Sequence, residues 1–100
     1  DFNLYSIEFF NSAKKDLKSI DKQNQAFILD SLDEFVLNFS STNENSLMHS
    51  GKIKKLKGQK EIIYRLKLRI YRVIYKKYED KLVILVLHVT TREGAYRSLD

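Results

Sequence analysis

Between Tyr64 and Lys76 the sequence alternates apolar and cationic residues, and the cations are of the types that bind phosphate. Tyr64, Leu66, Leu68 and Ile70 alternate with Arg65, Lys67 and Arg69, so an extended segment has one apolar face and one cationic face. Arg65 and Lys67 then project on the same side, about 7 Å apart at ~3.3 Å rise per residue. Tyr71, Val73 and Tyr75 alternate in turn with Arg72, Ile74 and Lys76, which lets Arg72 join that cationic side while the tyrosines and valine turn inward. Arg92 and Tyr96 follow the last apolar run and emerge at its end. Guanidinium and ammonium groups gathered on one face repel one another, and phosphate is the anion that best relieves the repulsion, because guanidinium forks match its geometry. On alternation alone, the solvated outer face of an antiparallel sheet accounts for the pattern equally well.

Other catalytic machinery is missing. The phosphate loop G-x-x-x-x-G-K-[ST], the dinucleotide fingerprint G-x-G-x-x-G and the zinc motif H-E-x-x-H do not occur, and the two histidines lack metal-ligand spacing. His49 lies in a polar stretch and reads as a surface residue. His88, in phase with Thr90 and Arg92 at the end of the apolar run, reads first as a packed or hydrogen-bonded histidine. Asp30, Asp33 and Glu34 fit the solvated face of a helix, and no two carboxylates stand out as an acid–base pair.

The elements that must position the cations follow from periodicity. Leu4 to Phe9 is short, aromatic and apolar, a first strand. Asn11 or Ser12 is expected to cap a helix whose apolar stripe is Ala13, Leu17 and Ile20. Asp21 is a second candidate cap, and the helix after it carries Ile28, Leu32, Phe35, Val36 and Phe39 on one face. Ser40 to Ser50, SSTNENSLMHS, is expected to be a loop, and GKIKKLKGQK after it a loop or frayed strand. Two strands then run through Tyr64–Ile70 and Tyr71–Lys76, KYEDK turns the chain, and Leu82 to Val89 is apolar enough for a central strand covered on both faces. The expected fold is α+β, in the order β-α-α-β-β-β, with two helices packed on a mostly antiparallel sheet.

Length and charge narrow the class further. The 100 residues suit one domain spanning 1–100, and no apolar run approaches the ~18–20 residues a membrane helix needs. The opening DFNLYSIEFF lacks the basic and long apolar regions of a secretory signal. Cysteine is absent, which excludes disulfides, thiolate metal sites and cysteine nucleophiles and suits a reducing cytoplasm. The net charge of +5 is uneven: residues 1–50 hold four lysines against eight acids, residues 51–100 fourteen Lys and Arg against five. A basic half of that density points to a polyanionic partner, nucleic acid before others.

From Lys55 the chain reads KLKGQKEIIYRLKLRIYRVIYKKYEDKLVILVLHVTTREGAYR. K-L-K-G, then Y-R-L-K-L-R, then Y-R-V-I-Y, then an apolar strand closed by T-R-E-x-x-Y-R, stand in an order and spacing that resemble the RelE/ParE superfamily of type II toxin–antitoxin toxins. SIEFFNSAKKDLKSI fits the same layout, so the resemblance covers nearly the whole chain outside Ser40–Ser50. The RelE branch implies a ribosome-dependent mRNA interferase, an endoribonuclease that enters the 30S A site. There a ribose 2′-hydroxyl attacks the adjacent phosphate, giving a 2′,3′-cyclic phosphate and a 5′-hydroxyl with no metal or other cofactor.

By motif match the resemblance carries five catalytic positions onto Arg65, Lys67, Arg72, Arg92 and Tyr96. RelE-like enzymes often have lysine at both of the first two, and Arg65 keeps a phosphate-binding role but not one that needs a neutral amine. Arg72 and Lys67 suit clamping the phosphate, Arg92 the leaving group, and Tyr96 the base once neighbouring cations lower its pKa. Lys52, Lys54, Lys55, Lys57 and Lys60, with Arg69, are expected to grip ribosomal RNA. The resemblance also implies a cognate antitoxin, small and with an acidic helical segment. It leaves two alternatives: a ParE-like inhibitor of DNA gyrase that acts by binding alone, and a catalytically silent nucleic-acid-binding module.

Overall fold

A computed structural model describes residues 5–57 and 60–91. Its elements are β1 (Ser6–Phe9), α1 (Asn11–Lys18), α2 (Lys22–Leu37), α3 (Ser41–His49), β2 (Ile53–Leu56), β3 (Ile63–Leu68), β4 (Tyr71–Tyr78) and β5 (Val83–Thr91). The strands form one sheet in the order β1-β5-β4-β3-β2. Only β1 and β5 pair in parallel; the other three pairings are antiparallel. The architecture is the expected α+β one, with one helix and one strand more than the periodicity showed.

The apolar stripe of α2 builds the core. Ile28, Leu32, Phe35 and Val36 are buried, and Phe39, just past the helix, is buried with them. They meet Tyr64, Leu66 and Leu68 of β3, Tyr71, Val73 and Tyr75 of β4, and Ile84, Val86 and Val89 of β5. Phe35 packs edge-on against Phe39 and Tyr75, and Tyr64 stacks on Tyr75, so aromatic rings fill the space between helix and sheet. The Asp21 carboxylate caps α2 as expected, accepting from the Asn24 backbone N–H at 3.2 Å and the Asn24 side-chain amide at 2.7 Å.

Four local expectations are corrected. Neither Asn11 nor Ser12 caps α1; the cap position is Phe10, with no side-chain bond. The sheet takes the Ser12 hydroxyl instead. β1 covers β5 only as far as Val86, and past that point Ser12 Oγ donates to Leu87 O (2.6 Å) while Asp16 Oδ2 accepts from the Val89 N–H (2.9 Å). Side chains of α1 thereby continue the hydrogen bonding where the strand ladder stops. Secondly, Ser40–Ser50 is not a loop but contains α3, capped by Ser40, whose hydroxyl accepts from the Asn43 N–H at 3.0 Å.

Ile70, thirdly, does not face the core. Arg69 and Ile70 form the two-residue turn between β3 and β4, with Arg69 at φ 58° and Ile70 exposed. Lastly, β5 lies inside the sheet but β4 is its middle strand, and only one face of β5 is sealed. GKIKKLKGQK holds the short strand β2, paired with β3 from Ile53↔Leu66 to Leu56↔Ile63.

Candidate phosphate-binding face

The sheet face turned away from α2 carries the cations, and the register fixes which of them are neighbours. Lys67 lies directly opposite Arg72, and Arg72 opposite Thr90. One row further along, Lys54 lies opposite Arg65, Arg65 opposite Ile74, and Ile74 opposite His88. Directly opposed residues on antiparallel strands project to the same face, so Lys54, Arg65, Lys67, Arg72 and His88 share one surface. Rows stand about 7 Å apart and strands ~4.8 Å apart, a patch sized for one or two phosphate groups.

Arg72 differs from the expectation that it points into solvent. It is only 8 % exposed, and its guanidinium NH1 donates to Arg69 O (2.9 Å) and Tyr71 O (3.0 Å). The first carbonyl belongs to the β3–β4 turn, whose backbone is strained by the left-handed Arg69, and the second to the first residue of β4. Arg72 therefore braces the turn as well as adding its charge. Arg65 NH2 donates to Gly51 O at 2.7 Å, while Arg65 Nε is buried with no acceptor among the described residues. Lys67 is exposed, and its backbone N–H donates to Lys52 O.

The remaining cations divide. Lys52, Lys54, Lys55, Lys57 and Lys60 are all exposed around β2, with Lys54 in the Arg65 row. Arg69 leaves the group: its guanidinium carbon sits 3.7 Å from the centre of the Phe27 ring on α2. There it helps line a groove of about 630 Å³ between α2, α3 and the end of β3, with Phe35, Leu47 and Leu66 beneath. Arg92 and Tyr96 lie outside the described residues.

Two contacts were not legible in the sequence. Asp16 Oδ2 lies 3.2 Å from His88 Nδ1 while it holds the Val89 N–H. Glu44 of α3 is 4 % exposed and accepts from Tyr75 Oη (2.9 Å) and Lys77 Nζ (2.5 Å). Burial first, then the Glu44 charge and hydrogen bond, push the Tyr75 phenol far above its ordinary range. Burial pulls the Lys77 ammonium down, but the hydrogen bond and charge of Glu44 outweigh it and the net shift is upward. Among the described residues no cluster of three or more His, Asp or Glu side chains could hold a metal ion, and no helix is long and apolar enough to cross a membrane.

A five-stranded, mostly antiparallel sheet with helices packed on it is the fold of RelE-like toxins of known structure. The chain superposes on an archaeal RelE–RelB complex from Pyrococcus horikoshii with a TM-score of 0.64 at 24 % identity, covering 88 % of this chain and 94 % of that one. The RelB–RelE antitoxin–toxin complex of Methanococcus jannaschii gives 0.61 at 26 % identity (92 % and 98 % covered), and YafQ from Escherichia coli 0.65 at 17 % (92 % and 98 %). Residues 7–96 match the family described as ParE toxin of type II toxin-antitoxin system, parDE. The chain belongs to that family and is a type II toxin of the RelE/ParE superfamily. No curated protein matches it closely.

Proposed function

We propose that this toxin is a ribosome-dependent mRNA endonuclease that cuts the messenger in the 30S A site. The observation that carries this reading is the direct pairing of Lys67 with Arg72 on the face that also holds Arg65. In-line attack of a ribose 2′-hydroxyl builds charge on the phosphate oxygens, and fixed cations stabilise that charge without reorganising. Arg72, braced by two carbonyls, is such a group. Lys67 supplies a mobile ammonium, and the unsatisfied Nε of Arg65 gives its guanidinium a reason to turn toward an incoming anion. Arg92 at the leaving oxygen and Tyr96 in proton transfer complete the proposed set, and the exposed lysines around β2 grip ribosomal RNA. With its parts held by the ribosome, the reaction gains the entropic advantage of pre-aligned reactants. This activity places the protein in the cytoplasm.

The cognate antitoxin is proposed to be a small protein with an acidic helical segment. The cationic face and the groove beside Phe27 and Arg69 are complementary to it in charge and in apolar surface. A second reading, inhibition of DNA gyrase by binding alone, is favoured by the match to the ParE family. The two separate on one variant. Lys67→Ala removes an exposed side chain, so the fold should be unchanged while messenger cleavage falls about 10²–10³-fold. Cleavage that persists in this variant, or a wild type that blocks supercoiling and leaves messenger intact, overturns the nuclease reading.

A further inference from the structure

The strand β5 does not keep its alternation. A bulge opposite Ile74 and Tyr75 leaves Leu87 without a partner, since Tyr75 pairs with Val86 and Ile74 with His88. Val86 and Val89 consequently both face the core, at 0 % and 2 % exposure. In an unbroken strand His88 would share the side of Val86; after the bulge it shares the side of Ile74, opposite the core. One inserted residue thus turns the imidazole onto the cationic face. Bulges recur where a side chain is re-aimed beside a reacting centre.

The imidazole is also oriented. Asp16 Oδ2 stands 3.2 Å from His88 Nδ1, and the same oxygen is fixed by the Val89 N–H at 2.9 Å. An acceptor on Nδ1 keeps the neutral ring's hydrogen there and leaves the lone pair on Nε2. The His88 and Asp16 side chains are 40 % and 32 % exposed, so a substrate can reach the ring. Among the described residues, the charged groups facing His88 are Asp16 from α1, Arg72 and Lys76 on either side of Ile74 in β4, and Arg65 across Ile74 in β3. His88 is diagonal to Arg72, and diagonal Cα positions lie about 7–8 Å apart. The register thus makes Arg72 and His88 neighbours on one face, within the span of a single nucleotide.

We infer that His88, oriented by Asp16, is the general base of the RNA-cleaving reaction. The inference rests on the nuclease reading above and moves proton abstraction from Tyr96 to His88. The step balances: the 2′-hydroxyl proton passes to Nε2, O2′ bonds to phosphorus, the P–O5′ bond breaks, and the 5′-oxygen takes a proton from water. The imidazolium then returns its proton to solvent. Asp16 is a positioning residue.

The test is single-turnover cleavage of messenger in purified ribosome complexes across pH, with ribosome binding measured in parallel by co-sedimentation. A base that must be unprotonated gives the wild-type rate an acidic limb, a fall on the acidic side of its pH profile. His88→Gln should lower the plateau rate about 10²–10⁴-fold and abolish the limb, with ribosome binding unchanged. Asp16→Asn should shift the limb while retaining part of the rate. A His88→Gln protein that melts like the wild type and cleaves at its rate with the same pH profile overturns the inference and leaves the nuclease reading standing. A wild-type profile without that acidic fall overturns it even if the variant does not fold. A wild type that cuts no messenger overturns both.

Discussion

Removing the Glu44 carboxylate should destabilise the fold far more than its place in a short polar helix suggests. Glu44→Ala strands two partners: the Lys77 ammonium, whose side chain is 15 % exposed, and the hydroxyl of Tyr75, which is fully buried. Breaking a buried ion pair from one side costs about 3–5 kcal/mol, and a buried hydroxyl without its acceptor ~1–3 kcal/mol. Lys77 keeps some water, so a net loss of about 3 kcal/mol is expected, or at least ~12 °C in melting temperature for a domain of this size. Replacing all three members by Glu44→Leu, Tyr75→Phe and Lys77→Met should return stability to within about 1 kcal/mol of the wild type, because no buried group is then orphaned. Urea denaturation at constant m-value measures each variant. Small additive losses in the single variants, with no recovery in the triple, would refute the view that this network holds α3 on the sheet.

Tyr75 and Lys77 both have raised values when folded, so the folded protein keeps protons that the unfolded chain releases. Stability present below about pH 10 should therefore fall as pH rises beyond it, and Tyr75→Phe with Lys77→Met should flatten the alkaline side of a pH series of melts. Asp21 is shifted the other way: the side-chain and backbone hydrogen bonds of Asn24 hold its carboxyl below 3.8. Its contribution is present above that value and lost as pH falls through the folded value, so wild type and Asp21→Ala should converge in melting temperature under strong acid. Val86→Asp places a charge at a site with 0 % exposure and should unfold the chain, whereas Leu85→Asp, on the half-covered face opposite Lys76, should still fold by circular dichroism.

The parts of the fold visible in the sequence are those with strong periodicity. The stripe from Ile28 to Phe39 reports burial directly, and the alternation from Tyr64 to Tyr75 reports which side chains of β3 and β4 face α2, with Ile70 lost to the turn and Arg72 and Ile74 buried on the other face. α3 was hidden because its Ser, Thr and Asn residues have weak helix propensity. It is held by Ser40 as cap and by Glu44, whose partners lie 31 and 33 residues away. Ser40 three residues before Asn43 was the local signal available. The alternation also gave the shared side of Arg65, Lys67 and Arg72. It could not show that Arg72 is buried, since that depends on a turn whose carbonyls receive its guanidinium. His88 was obscured for a similar reason: a bulge is set by strand pairing and leaves no mark in a run of apolar residues.

Primer extension on defined ribosome complexes tests the proposed action on messenger RNA in the ribosome. Protein is added to messenger with ribosomes, to messenger alone, and as the Lys67→Ala variant. Cuts are expected to be confined to the A-site codon, dependent on ribosomes, ending in 2′,3′-cyclic phosphate and 5′-hydroxyl, and strongly reduced in the variant. Intact messenger in all three arms, or cuts in free RNA that ignore the ribosome, would contradict the proposed action.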